Sequence, residues 1–218
     1  DTPILELSEV LLAKAGGETE KQIYRFTRGD DLAMRFDLTV PLAKYVSKNY
    51  GELQFPFRRY QIGKVYRGER PQKGRFREFY QADIDIIGDG ELSIMNDAEI
   101  PSIIYTTFKS LGFDDFTIRI NNRKILNGLF EYLNIVELST EIMRIIDKLE
   151  KIGKENVKLE LLKLNIKEEI VDKILEFISI SGNNEEKIEA LEKLNIKNEV
   201  FEKGLFELKE VVKYIRLF

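Results

Sequence analysis

The chain has 218 residues, enough for one sizeable core or two modest domains, since cores divide at roughly 100–200 residues each. Its 34 basic and 38 acidic residues leave a net charge of -4, and with no cysteine or histidine it excludes a global cationic field for nucleic acid, disulfides, thiol catalysis, imidazole bases and most zinc sites. The 43% hydrophobic and 33% charged residues are those of a soluble globular protein, and the apolar runs fall far short of the ~20 residues a membrane span needs.

The chain opens Asp1-Thr2-Pro3 rather than with Met and ends Ile215-Arg216-Leu217-Phe218 without a polar tail. It therefore reads as an internal piece of a longer protein, with the cytoplasm as the expected compartment. A helix is expected from Leu5 to Ala15, stopped by Gly16-Gly17. In Ala33-Met34-Arg35-Phe36-Asp37-Leu38-Thr39 the apolar residues 34, 36 and 38 alternate with polar ones, which predicts a strand with one apolar face. Pro41 suits the first turn of a helix continuing through Ser47, so Asp37 and Thr39 should lie at a strand end beside a helix N-terminus.

Phe57 to Arg67 and Arg75 to Ile86, joined by Gly68-Glu69-Arg70-Pro71-Gln72-Lys73-Gly74, predict a long antiparallel hairpin over 57–87. Even positions Phe76, Tyr80, Ala82, Ile84 and Ile86, apolar apart from Glu78, are expected to face the core. Odd positions Arg75, Arg77, Phe79, Gln81, Asp83 and Asp85 then share the other face, running from guanidinium groups through a ring and an amide to carboxylates. At ~3.4 Å per residue, Arg77 and Asp83 lie ~20 Å apart. Such a surface suits an elongated ligand, anionic at one end, flat in the middle and cationic at the other. ATP beside an amino acid meets those demands, because guanidinium groups bond phosphate in pairs and carboxylates need a cationic partner. Alternating charge also marks a plain solvated strand face. Phe79 reads equally as a half-exposed strand aromatic, Arg70 and Lys73 as loop-solvating groups, and Asp37 as an N-cap. The ordered succession of residue types on one face favours the ligand.

Beyond residue 138 the chain turns to Lys, Glu, Leu, Ile and Asn. Ile142, Ile145, Ile146 and Leu149 follow helical spacing, as do Ile170, Ile174 and Phe177, then Leu205, Leu208, Val212 and Ile215. A small helical bundle over 139–218 is expected after a mixed domain over 1–138. Leu161-Leu162-Lys163-Leu164-Asn165-Ile166 and Leu191-Glu192-Lys193-Leu194-Asn195-Ile196 match closely, through either a weak internal repeat or a shared helix-ending turn.

The string Tyr66-Arg67-Gly68-Glu69-Arg70-Pro71-Gln72-Lys73-Gly74-Arg75-Phe76-Arg77-Glu78-Phe79-Tyr80-Gln81 resembles motif 2 of class II aminoacyl-tRNA synthetases, specifically of the histidyl-tRNA synthetases. Arg35-Phe36-Asp37-Leu38-Thr39-Val40-Pro41 is similar to that family's amino-acid-binding segment, and Asp1-Thr2-Pro3-Ile4-Leu5-Glu6 to the tail of its motif 1. The resemblance is specific up to about residue 134, and the helical remainder is similar in position and character to the family's insertion domain.

It implies an α+β fold: a class II synthetase-like antiparallel sheet with flanking helices, followed by a small all-helical insertion domain. It also implies ATP-dependent activation of L-histidine to histidyl-adenylate and transfer to tRNA(His), by a homodimer in the full-length protein and without a membrane partner. Carried over by position, Arg67 holds the ATP α-phosphate and is the expected catalytic residue. Glu69 accepts from the adenine amino group, Phe79 stacks on adenine and Arg75 binds the γ-phosphate. Asp37, Thr39, Gln81 and Asp85 form the histidine-binding set, with Asp83 beside them. Arg70, Gln72 and Lys73 reach the tRNA acceptor end. Mg2+ bridges the phosphates of ATP, and no protein metal ligands are expected.

Two other functions compete. A histidine-sensing regulatory subunit of ATP phosphoribosyltransferase has a similar fold, but Arg67, Glu69 and Arg75 together argue against it, as does the helical segment. An RNA-binding module is disfavoured by Asp37, Asp83 and Asp85 beside the arginines. The family's motif 3 and downstream histidine-specific segment do not occur in the sequence. Residues 1–218 alone are therefore expected to be inactive, or nearly so, in histidine-dependent ATP–pyrophosphate exchange, which that assay checks directly.

Overall fold

Antiparallel pairing of short alternating segments organises Asp1–Leu92, one of two units into which the contacts divide. The structure, a computed structural model, describes residues 1–13 and 15–218 and, for Glu18, the backbone alone. β1 (Leu5–Leu7) is followed by α1 (Ser8–Leu12) and α2 (Glu18–Gln22), and pairs with β2 (Leu32–Met34) in the register Leu5↔Met34, Leu7↔Leu32. The helix expected from Leu5 thus begins at Ser8. Glu6, 6% exposed, turns inward to an ion pair with Lys44 while Leu5 and Leu7 face outward, and that alternation belongs to a strand. The strand expected over 33–39 likewise stops at Met34, because the chain turns into α3 (Thr39–Lys48), with Pro41 in its first turn.

β3 (Phe57–Tyr66) and β4 (Glu78–Ile87) form the long hairpin in the register Phe57↔Ile87 through Tyr66↔Glu78. Its tip closes where Gln72 and Arg75 exchange main-chain hydrogen bonds of 3.3 and 2.9 Å around Lys73-Gly74. Gly74 has φ +78°, a left-handed conformation that favours glycine. One expectation is reversed here. The even face, assigned from its apolar residues to the core, carries Tyr60, Ile62 and Tyr80 at 78, 63 and 68% exposure. The odd face is the packed one, with Gln61 at 4% and Val65 at 0%. Thr2, Arg35 and Phe36 lie against it and bond several of its groups, while Arg59 Nε and Asp85 Oδ2, both buried, face each other as an ion pair without a hydrogen bond.

The second unit, Ser93–Phe218, contains α4 (Met95–Ser110), α5 (Arg123–Tyr132), α6 (Ser139–Ile146), α7 (Leu149–Leu162), α8 (Glu168–Ile178), α9 (Asn184–Lys193) and α10 (Glu199–Ile215). α7 is interrupted at Gly153, whose φ of 78° is not helical. Ile142 and Ile174 are fully buried and Ile145 and Leu205 nearly so, as the helical spacing predicts. The boundary expected after residue 138 falls inside this unit, because α5 packs along α10 with their backbones in contact. A Cβ on Gly128 would lie 2.3 Å from the Phe201 amide nitrogen, and one on Gly204 2.8 Å from that of Ile125. Gly128→Ala and Gly204→Ala are each expected to cost ~1–3 kcal/mol by forcing the helices apart. A lower denaturation midpoint at unchanged slope is the expected reading.

The two similar segments end α7 and α9 on asparagines in the left-handed conformation, Asn165 at φ 57° and Asn195 at φ 49°. Leu133-Asn134-Ile135 ends α5 in the same way, with Asn134 at φ 55°. There the amides of Asn134 and Ile135 bond Glu131 and Phe130 carbonyls at 3.0 Å each, the paired bonds of a Schellman turn. Ile135, Ile166 and Ile196 are 6–7% exposed, so each turn also sends an isoleucine into the core. A shared helix-ending turn accounts for the likeness. No helix among the described residues is long and apolar enough to cross a membrane.

Candidate active site

Strand pleating places residues 59, 61, 63 and 65 of β3 on the same face as 85, 83, 81 and 79 of β4, as the pairs Arg59↔Asp85, Gln61↔Asp83, Gly63↔Gln81 and Val65↔Phe79. Arg67, just past β3, continues that phase. Its guanidinium carbon lies 4.4 Å from the centroid of the Phe36 ring and 5.0 Å from that of Phe79. Its Nε donates to the Phe36 carbonyl at 3.2 Å and its Nη2 to Gln81 Oε1 at 2.9 Å. Gln81 in turn donates from Nε2 to Asp83 Oδ1 at 3.0 Å. Arg67, Phe79, Gln81 and Asp83 are therefore joined in one line along the face.

At the far end Asp85 Oδ2 lies 3.0 Å from Arg59 Nε in an ion pair whose side chains are 22% and 11% exposed. Burial is the largest influence on Asp85 and raises its pKa above the ordinary value; Arg59 opposes the shift and Asp83 adds to it. Asp37 caps α3, because its Oδ1 accepts from the amides of Thr39 at 3.0 Å and Val40 at 2.9 Å. Thr39 is the first residue of α3, exposed, and held by the same cap. The alternative reading of Asp37 as a cap is what the geometry shows for one of its oxygens.

Near the loop, Glu69 is 3.9 Å from Arg75 Nη1, a loose pair in which Arg75 is largely in solvent. Arg77 Nε donates to the Glu69 carbonyl at 3.3 Å, and the Arg67 amide to the Arg77 carbonyl at 2.9 Å, which holds the two strand ends together past the regular pairing. Gly68 is packed against α2, where a Cβ would sit 3.2 Å from the Gln22 carbonyl oxygen. Arg70, Gln72 and Lys73 are exposed on the loop and make no part of the packed face.

Three supporting residues escape a reading of the second strand alone. Arg35, expected on an open polar face, is 4% exposed and donates to the carbonyls of Lys64 at 2.8 Å and Thr2 at 2.7 Å. Its passage requires Gly63, where a Cβ would stand 2.6 Å from Arg35 Nη2. Gln61 accepts from Thr2 Oγ1 at 3.1 Å and from Arg59 Nη1 at 2.9 Å. The signal for Arg59 and Gln61 is the same two-residue period applied to β3. Cavities of about 960 and 870 Å3 lie within the second unit, and neither is lined by these residues.

A face graded from arginine through an aromatic ring and an amide to carboxylates, carried on this hairpin, is matched at the level of the whole chain. Residues 1–218 match the family model described as histidyl-tRNA synthetase. The chain belongs to the histidyl-tRNA synthetase family. A histidine–tRNA ligase of Clostridium tetani is 63% identical over 219 residues, covering 100% of this chain and 50% of that protein. One from Finegoldia magna is 56% identical, over 97% of this chain and 49% of its own length. The chain thus spans about half the length of these curated relatives. A crystal structure of histidyl-tRNA synthetase from Nostoc superposes with a TM-score of 0.87 at 40% identity, covering 99% of this chain and 49% of that one. The α+β class expected from the sequence is the class observed. A Bacillus halodurans structure described as an ATP phosphoribosyltransferase regulatory subunit/histidyl-tRNA synthetase gives 0.82 at 22% identity, a likeness of fold.

Proposed function

We propose that this chain forms the part of a histidine–tRNA ligase that binds ATP and L-histidine, in a longer protein that also charges tRNA(His). The observation that carries the reading is the restrained Arg67, within 5.0 Å of the Phe36 and Phe79 ring centroids and bonded to Gln81. Arg67 meets the α-phosphate, Phe79 and Glu69 receive adenine, and Arg75 takes the γ-phosphate. Gln81, Asp85, Thr39 and the remaining oxygen of Asp37 hold histidine. The histidine carboxylate attacks the α-phosphorus, a bond to pyrophosphate breaks, and Arg67 stabilises the charge that gathers on the phosphoryl oxygens. No general base is needed, because the nucleophile is already ionised, and alignment supplies much of the rate.

No group of three acidic side chains that could hold a metal is gathered among the described residues. Mg2+ would enter with the phosphates of ATP and neutralise part of their charge, and the arginines of the hairpin would orient that complex. Arg70, Gln72 and Lys73, exposed at the hairpin tip, approach the acceptor end of tRNA. Residues 139–218 serve as the insertion domain of a cytoplasmic homodimer. Histidine-dependent ATP–pyrophosphate exchange by the full-length protein, run against the other amino acids in turn, tests the reading. Exchange with histidine alone is expected, and its absence overturns the proposal.

A further inference from the structure

We infer that Arg59 is a positioning residue of the amino-acid end, a side chain that links the 37–39 segment to the carboxylate of Asp85. Its guanidinium serves three partners from different parts of the chain. Nε faces Asp85 Oδ2 at 3.0 Å on β4, Nη1 donates to Gln61 Oε1 at 2.9 Å on β3, and Nη2 donates to the Leu38 carbonyl at 2.9 Å. Leu38 is fully buried and sits between Asp37 and Thr39, so a bond to its carbonyl fixes both neighbours. Gln61, held by the same fork, also receives Thr2 Oγ1 at 3.1 Å, which brings the N-terminal segment into the arrangement.

The chemistry calls for arginine. A planar guanidinium offers donors in fixed directions from one plane, whereas an ammonium is a compact point charge on a flexible stem. With its side chain 11% exposed, Arg59 is also the cation that opposes the burial of Asp85, which on balance favours the neutral acid. It touches none of the expected phosphate-binding residues. The role of Arg59 therefore concerns histidine and leaves nucleotide binding alone, and it rests on the proposed function above.

In the full-length protein, Arg59→Met and Arg59→Lys separate this role from mere structure. The expected result for Arg59→Met is a KM for histidine raised about 10- to 100-fold, the weight of a lost charge partner together with the lost bonds to Gln61 and the Leu38 carbonyl. The KM for ATP should stay within about threefold, since the phosphate-binding groups lie toward the opposite end of the hairpin face. Arg59→Lys should fall between, restoring charge without the fork. In an Asp85→Asn background, Arg59→Met should raise the histidine KM by a smaller factor than it does alone, because the shared partner is already gone. An unchanged histidine KM, or ATP and histidine KM rising together, overturns the inference. Should Arg59→Met fail to fold, Arg59→Lys decides on the same two constants. A wild-type protein without histidine-dependent exchange defeats the proposed function itself; wild-type exchange with unmoved variants defeats only the role of Arg59.

Discussion

Arg67→Ala in the full-length protein should lower kcat for histidine-dependent ATP–pyrophosphate exchange by about 10²–10³, the usual effect of removing one donor aimed at developing negative charge. The expectation follows from how the side chain is held. Two rings approach its guanidinium carbon, at 4.4 and 5.0 Å, and the Phe36 carbonyl and Gln81 fix its rotation. An arginine restrained in this way would need little reorganisation if charge develops on an α-phosphate beside it, and the expected loss of rate rests on that preorganisation. Arg67→Lys should be nearly as damaging, because an ammonium on a flexible stem cannot meet two rings, a carbonyl and an amide oxygen with the fixed fork of a guanidinium. The histidine KM should move less than kcat, through the lost bond to Gln81. An Arg67→Lys protein with wild-type kcat would take Arg67 out of the chemistry.

The hairpin is legible in the sequence because strand period, turn residues and a long polar succession all point the same way. Its register, pairing Arg59 with Asp85, is not, since nothing local in either strand fixes which residues face each other. Arg35 defeats the pattern for a related reason. Alternation assigns a charged residue to the wet face, yet here carbonyls of Thr2 and Lys64, distant in sequence, satisfy the guanidinium in the interior. The reversed faces of the ribbon are of the same kind: the packed face carries polar groups paired largely with one another, while Tyr60, Ile62 and Tyr80 stand exposed. β1 has only three residues, too short for a period to register, so Leu5–Leu7 blends into the helix that follows. Gly128 and Gly204 read locally as weak points in helices; only the close approach of α5 and α10 gives them a purpose.

Asp85 should set the acid limb of histidine recognition, and the sign follows from its surroundings. Burial holds its pKa above the ordinary 3.8, with Asp83 on the same strand reinforcing the shift and Arg59 across the ladder opposing it. The carboxylate, the form that accepts a ring N–H or an ammonium, is therefore lost at higher pH than in a free aspartate. As pH falls through that raised value, the KM for histidine should climb. Asp85→Asn removes the charge while keeping the shape, so its histidine KM at neutral pH should be about 10- to 100-fold higher and should lack that limb. Free histidine titrates near pH ~6.5 for both proteins, so the difference between the two profiles isolates the side chain. Parallel profiles would exclude Asp85 from the pocket. The same shift carries a stability consequence. A carboxyl that binds its proton more tightly in the fold than in the unfolded chain contributes most below 3.8, and that contribution is lost as pH rises through the raised folded value. If Asp85 faces histidine, the bound ligand adds a second cationic partner beside Arg59 above that window, so the thermal shift it produces should be larger at neutral pH than in acid, and the Asp85→Asn protein should show a smaller difference between the two.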